Sequence, residues 1–240
     1  MNFPNRTPIH VGMAGEFFGK RYRVAGRIVL GENEGGDTYY WTEFNLVDDK
    51  GQSADLVFEE SETGAEWRLF VLFEPEYPIT AGDARSKRIG DQLNLDGTDV
   101  LINLVSRSRI YHIEGQGAEG EDVGDMADYF NAQGGGTRIV VSWTGEEVEC
   151  YRGMDVSFAM VGKSFNLDPT IAGKFTASLI RQNQRSSFFK GGVILIWIIL
   201  VGALGLRAEA SLCCTDGSFR RARLRMTVCC GAGFGPAIAA

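Results

Sequence analysis

The sequence predicts a mainly β protein: an antiparallel body, either a sandwich or a barrel, followed by a single C-terminal transmembrane helix. Three observations support this fold class. Segments of alternating apolar and polar residues, rich in aromatic and β-branched side chains, occupy most of the chain before residue 169. Turn signals built from Gly, Asn and Asp separate these segments about every ten residues. Late in the chain, residues 191–206 (GGVILIWIILVGALGL) form a run of sixteen residues without a charge.

The charge of the chain is divided between two regions of opposite sign. Residues 1–173 contain 15 Lys and Arg against 29 Asp and Glu, a net charge of −14, whereas residues 174–240 contain 9 basic and 2 acidic residues, a net charge of +7. Together they give the overall charge of −7. Phosphate binding requires a basic face, so the acidic body argues against nucleic acid as a partner.

The body follows a short N-terminal segment, residues 1–11, and extends over residues 12–168. KRYRVAGRIVLGE is strand-like, and its alternation shifts at Gly26. The next strands are TYYWTEFNLVDD, SADLVFEE and GAEWRLFVLFEP, with turns at GENEGGD and DDKGQ. Further on, VLINLVSRSRIYHIEGQG predicts a strand with a bulge or bend inside it, and GTRIVVSWTGEEVECYRGMDVS predicts two strands joined at TGEE.

Some segments leave alternatives open. GDMADYFNA, with Asp125 as a candidate N-cap, fits either a short helix or a strand, and no stretch before Asp168 has a clean helical stripe. The segments YYWTEFNLVDDKG and TRIVVSWTGEEVE are loosely alike, which is compatible with a two-lobed body or with chance. Residues 169–187 carry apolar side chains at helical spacing from Ile171 to Leu179, and they form either a juxtamembrane helix or a linker.

Residues 188–206 are predicted to cross a membrane once. Nineteen residues with a rise of about 1.5 Å each nearly match a hydrocarbon core about 30 Å thick, so the helix crosses with little tilt. In lipid, a helix is the only way for one isolated segment to satisfy its own backbone. The length of the run argues against an ordinary core strand, because strands usually have about four to eight residues. The centre of the span is formed by Val193, Ile196, Trp197, Ile199 and Leu200.

The N-terminus lacks the apolar region of a cleavable signal peptide, so the body of this single-pass membrane protein is expected on the cytoplasmic side. The membrane, and a membrane protein within it, are the expected partners. The basic tail, residues 207–240, is predicted to be disordered. Its cysteines form two adjacent pairs, Cys213 with Cys214 and Cys229 with Cys230. Adjacent cysteines do not have the spacing of a zinc site, and disulfide formation or lipidation of these residues are the open alternatives.

The body offers few residues for catalysis. His112 lies between apolar residues in RIYHIEG, and Cys150 in EVECYRG is interpreted as a small core residue. The catalytic candidates are Glu43, Glu146 and Glu147, with His112 as base, because acid–base chemistry needs two carboxyl groups in different environments. In the alternative interpretation, the abundant carboxylates lie on a solvated strand edge. No cofactor and no metal site is predicted, since neither an EF-hand loop nor a phosphate-binding loop has the required spacing.

Three segments, YYWTEFNL, EGEDVGDMADYFNA and VSWTGEEVECYRG, together resemble a bacterial family known as domain of unknown function 4178, over residues 12–164. The resemblance implies a β-rich body and supplies no catalytic residues. Similar family members often have membrane segments, and some begin with a Cys-x-x-Cys zinc ribbon, for which this chain has no cysteine before Cys150. We therefore expect a membrane-anchored, non-catalytic module that binds a membrane partner or a small ligand. The alternative is a membrane-tethered, carboxylate-based hydrolase or transferase.

Overall fold

The computed structural model describes residues 3–61, 64–116 and 121–181, which form ten strands and three helices. The strands are β1 (Ala14–Phe17), β2 (Lys20–Glu34), β3 (Asp37–Asp48), β4 (Ser53–Ser61), β5 (Gly64–Leu72), β6 (Gln92–Leu95), β7 (Thr98–Gly115), β8 (Met126–Gly134), β9 (Thr137–Thr144) and β10 (Glu147–Val156). The helices are α1 (Ala81–Ser86), α2 (Phe158–Ser164) and α3 (residues 169–181).

Eight of these strands close into an antiparallel barrel. Each strand from β2 to β5 pairs with its successor, β5 pairs with β10, and the wall continues through β9, β8 and β7. The ring closes where β7 pairs with β2, from Gly26 opposite Gly115 to Glu32 opposite Ser108. Strands β1 and β6 pair with β2 and β7 outside this ring. The predicted β body is therefore a closed barrel, and its two similar hairpins belong to one wall rather than to two lobes.

The two longest strands, β2 and β7, are irregular, and the bulge or bend predicted inside β7 is confirmed. The register of β2 against β3 shifts between Val24 and Gly26, where the sequence alternation changes. The register of β7 against β8 shifts between Ile102 and Leu104, within the segment expected to contain a bulge or bend. The ambiguous GDMADYFNA segment resolves as strand, because most of it lies in β8 and pairs with both β7 and β9.

Glycine turns mark one end of the barrel. Gly35 and Gly36 connect β2 to β3, with φ of +61° and +97°, and Gly135 and Gly136 connect β8 to β9, with φ of +58° and +77°. Two-residue hairpin loops with positive φ at both positions match the twist of the flanking strands, and glycine adopts them without strain. Because neighbouring strands are antiparallel, both turns lie at the same end of the barrel, which we call the hairpin end.

The apolar face of the first half of the wall points outward, toward α2 and α3. Residues that pair across neighbouring strands share a face, and Phe44, Leu56 and Leu69 pair in this way on β3, β4 and β5. All three are buried, and they belong to one cluster with Val161 of α2 and Phe175 of α3. The two helices therefore cover the outside of the barrel.

A second apolar cluster covers the outside of the other half of the wall. Its fully buried members include Ile102, Phe130 and Val141 on β7, β8 and β9, and Ala84 brings α1 onto the same face. Cys150 of β10 is buried in this cluster as well. The prediction that Cys150 is a small core residue is confirmed.

Two helices precede residue 168 although no stretch there has a clean helical stripe, because α1 and α2 have only six and seven residues. Helices this short contain too few turns to produce a periodic stripe. Each is stabilised at its start by a capping side chain. The Thr80 hydroxyl accepts a hydrogen bond from the Asp83 amide, and the Ser157 hydroxyl accepts one from the Met160 amide.

Helix α3 covers the beginning of the segment 169–187, for which both a helix and a linker were considered. Its Phe175 is buried against the rings of Phe58, Trp67 and Phe158, so α3 belongs to the core of the domain. The predicted membrane span, residues 188–206, and the tail after it lie outside the described residues. Within the part of the chain that the structure describes, no helix is both long and apolar enough to cross a membrane.

Candidate functional site

The face of the wall opposite the helices is polar and lines the lumen of the barrel. Side chains alternate along a strand, so on β3 the side chain of Glu43 points away from that of Phe44, which lies in the outer cluster. Across the neighbouring strands, the residues that share the face of Glu43 are Val57, then Arg68, then Asp155. The barrel thus carries apolar side chains outside and many charged side chains inside.

A cavity of about 240 Å³ lies in this lumen near the hairpin end. Strands β4 and β5 provide one wall of the cavity with Glu59, Arg68 and Phe70. Strands β7, β8 and β9 lie on the other side of the ring, and strands so placed can share a cavity only inside the barrel. Their inward-facing contributions to the wall are Leu104, Asn131, Gln133, Arg138 and Val140.

The two arginines of the cavity are already paired with carboxylates. Arg68 binds Glu59 at 2.6 Å through Nη1 and binds Glu66 through Nη2. Arg138 binds both carboxylate oxygens of Asp155, at 3.0 and 3.4 Å. The Arg68 side chain is only 17% exposed, so water screens its pairs less than it screens surface ion pairs. The charges at this end of the lumen are therefore largely compensated.

Two polar atoms of the cavity wall lack a hydrogen bond among the described residues. They are Nε of Arg68, a donor, and Oδ1 of Asn131, an acceptor, and both are buried. The same holds for Nε1 of Trp67 and Nε1 of Trp143, but these belong to the outer apolar clusters. Buried polar groups without a hydrogen-bond partner are rare in folded proteins.

Carboxyl groups concentrate toward the opposite end of the lumen. Glu43 accepts a hydrogen bond from Nε1 of Trp41 at 2.7 Å. Burial raises the pKa of Glu43 to about 7, and the charge of Glu121 adds to the shift against the opposing effect of the Trp41 bond. Burial, followed by the charge of Glu43, holds the pKa of Asp55 well above its usual range. Among the described residues, no three His, Cys, Asp or Glu side chains are arranged to hold a metal ion.

Two tyrosines extend the polar lining between these groups. The Tyr151 hydroxyl donates to Glu149 at 2.8 Å, and the Tyr129 hydroxyl donates to Glu32 at 2.7 Å. Burial, reinforced by the neighbouring carboxylates, raises the pKa of both tyrosines. Both therefore act as neutral hydrogen-bond donors at physiological pH.

The structure separates the residues that the sequence singled out as catalytic candidates. Glu43 lies in the lumen, whereas Glu146 lies at the β9–β10 turn and pairs at 3.0 Å with an arginine of α1. Glu147 is exposed at the start of β10. His112 pairs with Val29 across β7 and β2, and its ring centre is 6.4 Å from the ring of an N-terminal phenylalanine. The four side chains do not share one pocket, and the carboxyl group beside Glu43 comes from Asp55 instead.

Sequence reasoning missed most of the lumen residues, although β4 carried the signal. In that strand Asp55, Val57 and Glu59 alternate with three apolar residues of the outer cluster. The polar face of such a strand is ordinarily solvent-exposed, which corresponds to the solvated strand edge considered for the abundant carboxylates. Closure of the barrel turns this face inward, so Glu59 lines the cavity. The missed residues that matter most are Asp55, Arg68, Asn131 and Arg138.

Comparison with known protein families gives a match that includes the barrel. The model of the family described as Domain of unknown function (DUF4178) matches residues 10–158, which include the whole barrel. No curated protein and no solved structure matches the chain.

Proposed function

The chain belongs to the DUF4178 family, and from the geometry of its barrel we propose that it is a non-catalytic binding module that holds a small polar ligand in the lumen. The observation that carries this proposal is the cavity of about 240 Å³ between β4–β5 and β7–β9. Barrels of eight strands have an interior just wide enough either to be filled by side chains or to hold one small ligand.

The chemistry of the cavity wall supports binding. Small-molecule sites combine apolar walls with a few well-placed polar groups. Here Phe70, Leu104 and Val140 supply apolar surface, while Arg68, Asn131 and Gln133 are its polar lining residues. The volume lies below the range of about 300–1,000 Å³ that is usual for drug-sized ligands, so the ligand is small.

The test is to fill the cavity. Val140→Trp places an indole inside the lumen, and Val105→Trp places the same side chain on the outward-facing, exposed side of β7 as a matched control. The purified full-length chain and both variants are screened against small polar compounds by thermal unfolding. A ligand raises the melting temperature of the folded protein that it binds, so true binders stabilise the wild type and the control but not Val140→Trp. Binders that stabilise all three proteins equally would contradict a luminal site.

We propose further that residues 188–206 anchor the barrel to a membrane, with the barrel on the cytoplasmic side. The proposal rests on the length and apolarity of that segment. Ile196→Arg combined with Ile199→Arg removes the anchor, because each arginine costs about 2.5–3.5 kcal/mol at the centre of a span. The wild type is expected to resist carbonate extraction and the double variant to be extracted. Protease added to spheroplasts is expected to leave the barrel intact. Digestion of the barrel would show that it lies on the outer side of the membrane.

A membrane protein is the partner that such an anchor would bring within reach. We therefore expect affinity purification of the full-length chain from detergent extracts to recover a specific membrane protein, and the Ile196→Arg, Ile199→Arg variant to lose it. A partner that is retained by this variant would have to bind the barrel without the anchor. Recovery of no protein above background would leave small-ligand binding as the whole function.

The pair Glu43 and Asp55 favours one second candidate, a carboxylate-based hydrolase or transferase. Two buried carboxyl groups with raised pKa values, of which Glu43 titrates near neutral pH, are able to divide the roles of acid and base. A screen for turnover with ester, amide and glycoside substrates tests this candidate. Any activity would have to disappear in Glu43→Gln and persist in Glu147→Gln, because Glu147 is exposed at the start of β10.

A further inference from the structure

The two-residue turn between β1 and β2 places a phenylalanine where the backbone favours glycine. Phe18 and Gly19 have φ of +50° and +77°. Both positions of such a hairpin loop need positive φ, which suits Asn, Asp and Gly but not a bulky side chain. Among the described residues other than glycine, only Asp96 and Asn166 share this conformation, and both are types that tolerate it. Phe18 is therefore kept in this turn at a cost in stability.

The fold does not bury Phe18 in return for this cost. Phe18 is 63% exposed, whereas the ring of its neighbour Phe17 is buried and packs edge-on against Phe165 after α2. A strained backbone that the surrounding structure does not repay suggests a functional position. The turn thus points to a contact with something outside the domain.

Cations concentrate around this turn although residues 1–173 carry a net charge of −14. The β3–β4 turn lies at the same end of the barrel, opposite the hairpin end, and contributes one lysine and two aspartates. An exposed ring with a local excess of cations matches an anionic bilayer, in which aromatic rings lie at headgroup level and basic side chains are attracted to the surface. At this end of β1–β3, four cations face three carboxylates: Lys20, Arg21, Arg23 and Lys50 against Glu16, Asp48 and Asp49.

The turn belongs to the side of the barrel from which the chain continues toward the predicted membrane span. Phe17, beside the turn, lies in the same apolar cluster as Phe175 of α3. Helix α3 ends at residue 181 and the predicted span begins at residue 188, and seven residues extend at most about 24 Å. An anchor that begins at residue 188 would therefore hold this side of the barrel close to the bilayer.

From these observations we propose that the β1–β2 turn is a second membrane contact. Phe18 enters the interface of an anionic bilayer, and Lys20, Arg21 and Arg23 face the headgroup phosphates. This inference rests on the proposed anchoring of the barrel at the cytoplasmic leaflet, which is the anionic one. It adds the surface of the barrel that lies against that leaflet.

A tryptophan at position 18 tests the contact in the full-length, anchored chain. Phe18→Trp is reconstituted into phosphatidylcholine vesicles that contain about 30% phosphatidylserine as the anionic lipid and carry brominated acyl chains, which quench tryptophan on contact. It is expected to show a quenched component that the wild type lacks. Tyr39→Trp is the control and is expected to show none, because Tyr39 is exposed at the hairpin end, the other end of the barrel.

A second measurement removes the anchor and tests the charge of the lipid. The full-length chain carries Ile196→Arg and Ile199→Arg, and the four arginines of residues 220–225 are replaced by glutamine so that the tail does not hold the chain on anionic lipid. This anchor-free chain is floated with vesicles of phosphatidylcholine alone or with added phosphatidylserine. It is expected to float with the anionic vesicles and to stay behind with the neutral ones.

Phe18→Asn in the anchor-free chain carries two readouts. Loss of the ring is expected to weaken flotation with anionic vesicles by about tenfold. Because Asn-Gly is the preferred sequence of this turn, the melting temperature is expected to rise by about 2–4 °C. Tyr39→Asn is the matched control and is expected to leave flotation unchanged. If Phe18→Asn does not fold, Phe18→Gly replaces it with the same two expectations.

The outcomes separate this contact from the anchor. An unquenched Phe18→Trp, in a chain that resists carbonate extraction, would overturn the contact and leave the anchor standing. Flotation that Phe18→Asn weakens would support the contact even if carbonate extracts the wild type. Equal flotation with neutral and anionic vesicles would contradict the role of the cations, and a lower melting temperature of Phe18→Asn would contradict the strain. If Phe18→Asn floats normally but loses the membrane protein recovered by affinity purification, the turn binds that protein and the lipid contact is wrong.

Discussion

Replacing Glu43 by Gln is expected to stabilise the protein at neutral and alkaline pH. The carboxylate of Glu43 is enclosed by the barrel wall, and burial raises its pKa from about 4.5 to about 7. The neutral amide of glutamine has nearly the same shape. Its carbonyl oxygen still accepts the hydrogen bond that Nε1 of Trp41 donates at 2.7 Å. The substitution therefore removes the charge without removing the contact.

The size and sign of the effect follow from the shift in pKa. A rise of about 2.5 pKa units, at 1.36 kcal/mol per unit, corresponds to about 3 kcal/mol, which is an upper value because Glu43 retains partial access to water. Between pH 4.5 and pH 7 the folded state binds more protons at this site than the unfolded state does. The contribution of Glu43 to the free energy of unfolding is therefore fully present below about pH 4.5 and is lost as the pH rises through about 7.

The assay is urea unfolding of the full-length chain, followed by tryptophan fluorescence, at several pH values from 4.5 to 8. Glu43→Gln is expected to match the wild type at pH 4.5 and to exceed it by about 1–3 kcal/mol at pH 8. Glu147→Gln, at an exposed site on β10, is the control and is expected to follow the wild type at every pH. If Glu43→Gln is less stable than the wild type at pH 8, or keeps the wild-type slope, the assignment of Glu43 to an enclosed acidic lumen is wrong.

Three further predictions concern the barrel wall and its helices. Phe175→Ala is expected to lower the free energy of unfolding by about 3–5 kcal/mol, measured by urea denaturation, because the ring is buried against the outer face of the barrel. Cys150 is expected to react with iodoacetamide at pH 8 only after unfolding, as mass spectrometry would show, because burial raises the pKa of its thiol to about 11. Gly153→Ala is expected to cost about 1–3 kcal/mol, since the new methyl group displaces the ring of Phe70, and Gly173→Ala, with open space around it, is the control.

The sequence predicted the strands because their signals are local. Alternating residues and turn residues lie within ten residues of each other, and the shift at Gly26 that marks the bulge of β2 is equally local. Closure of the barrel depends instead on β2 pairing with β7, which joins residues such as Gly26 and Gly115 that are far apart in the chain. No local pattern encodes such a pairing, so a sandwich and a barrel could not be distinguished.

The short helices were missed because apolar periodicity was the main criterion. A capping box at Thr80 and Asp83 starts α1, and a serine cap at Ser157 starts α2. Thr80 and Asp83 have the standard spacing of a capping box and Ser157 is a standard N-cap residue, but these signals carry weight only where a helix is already expected. The consequence reaches the site, because α2 and α3 cover the apolar face of β3–β5 and so decide which face remains for the lumen.

The distribution of polar groups in the barrel is poorly explained by stability alone. The outer clusters under the helices supply the apolar burial that holds the domain together. Two groups on the inner face of the barrel reduce the free energy of unfolding. Burial makes it unfavourable for Glu43 to carry its charge at pH 8, and Oδ1 of Asn131 is a buried acceptor without a hydrogen-bond partner. Glu43→Gln would remove the first cost and Asn131→Leu the second, and each substitution changes the size of the side chain little. Residues that retain such a cost where a simple replacement would remove it are typical of binding sites, and both face the interior of the same barrel.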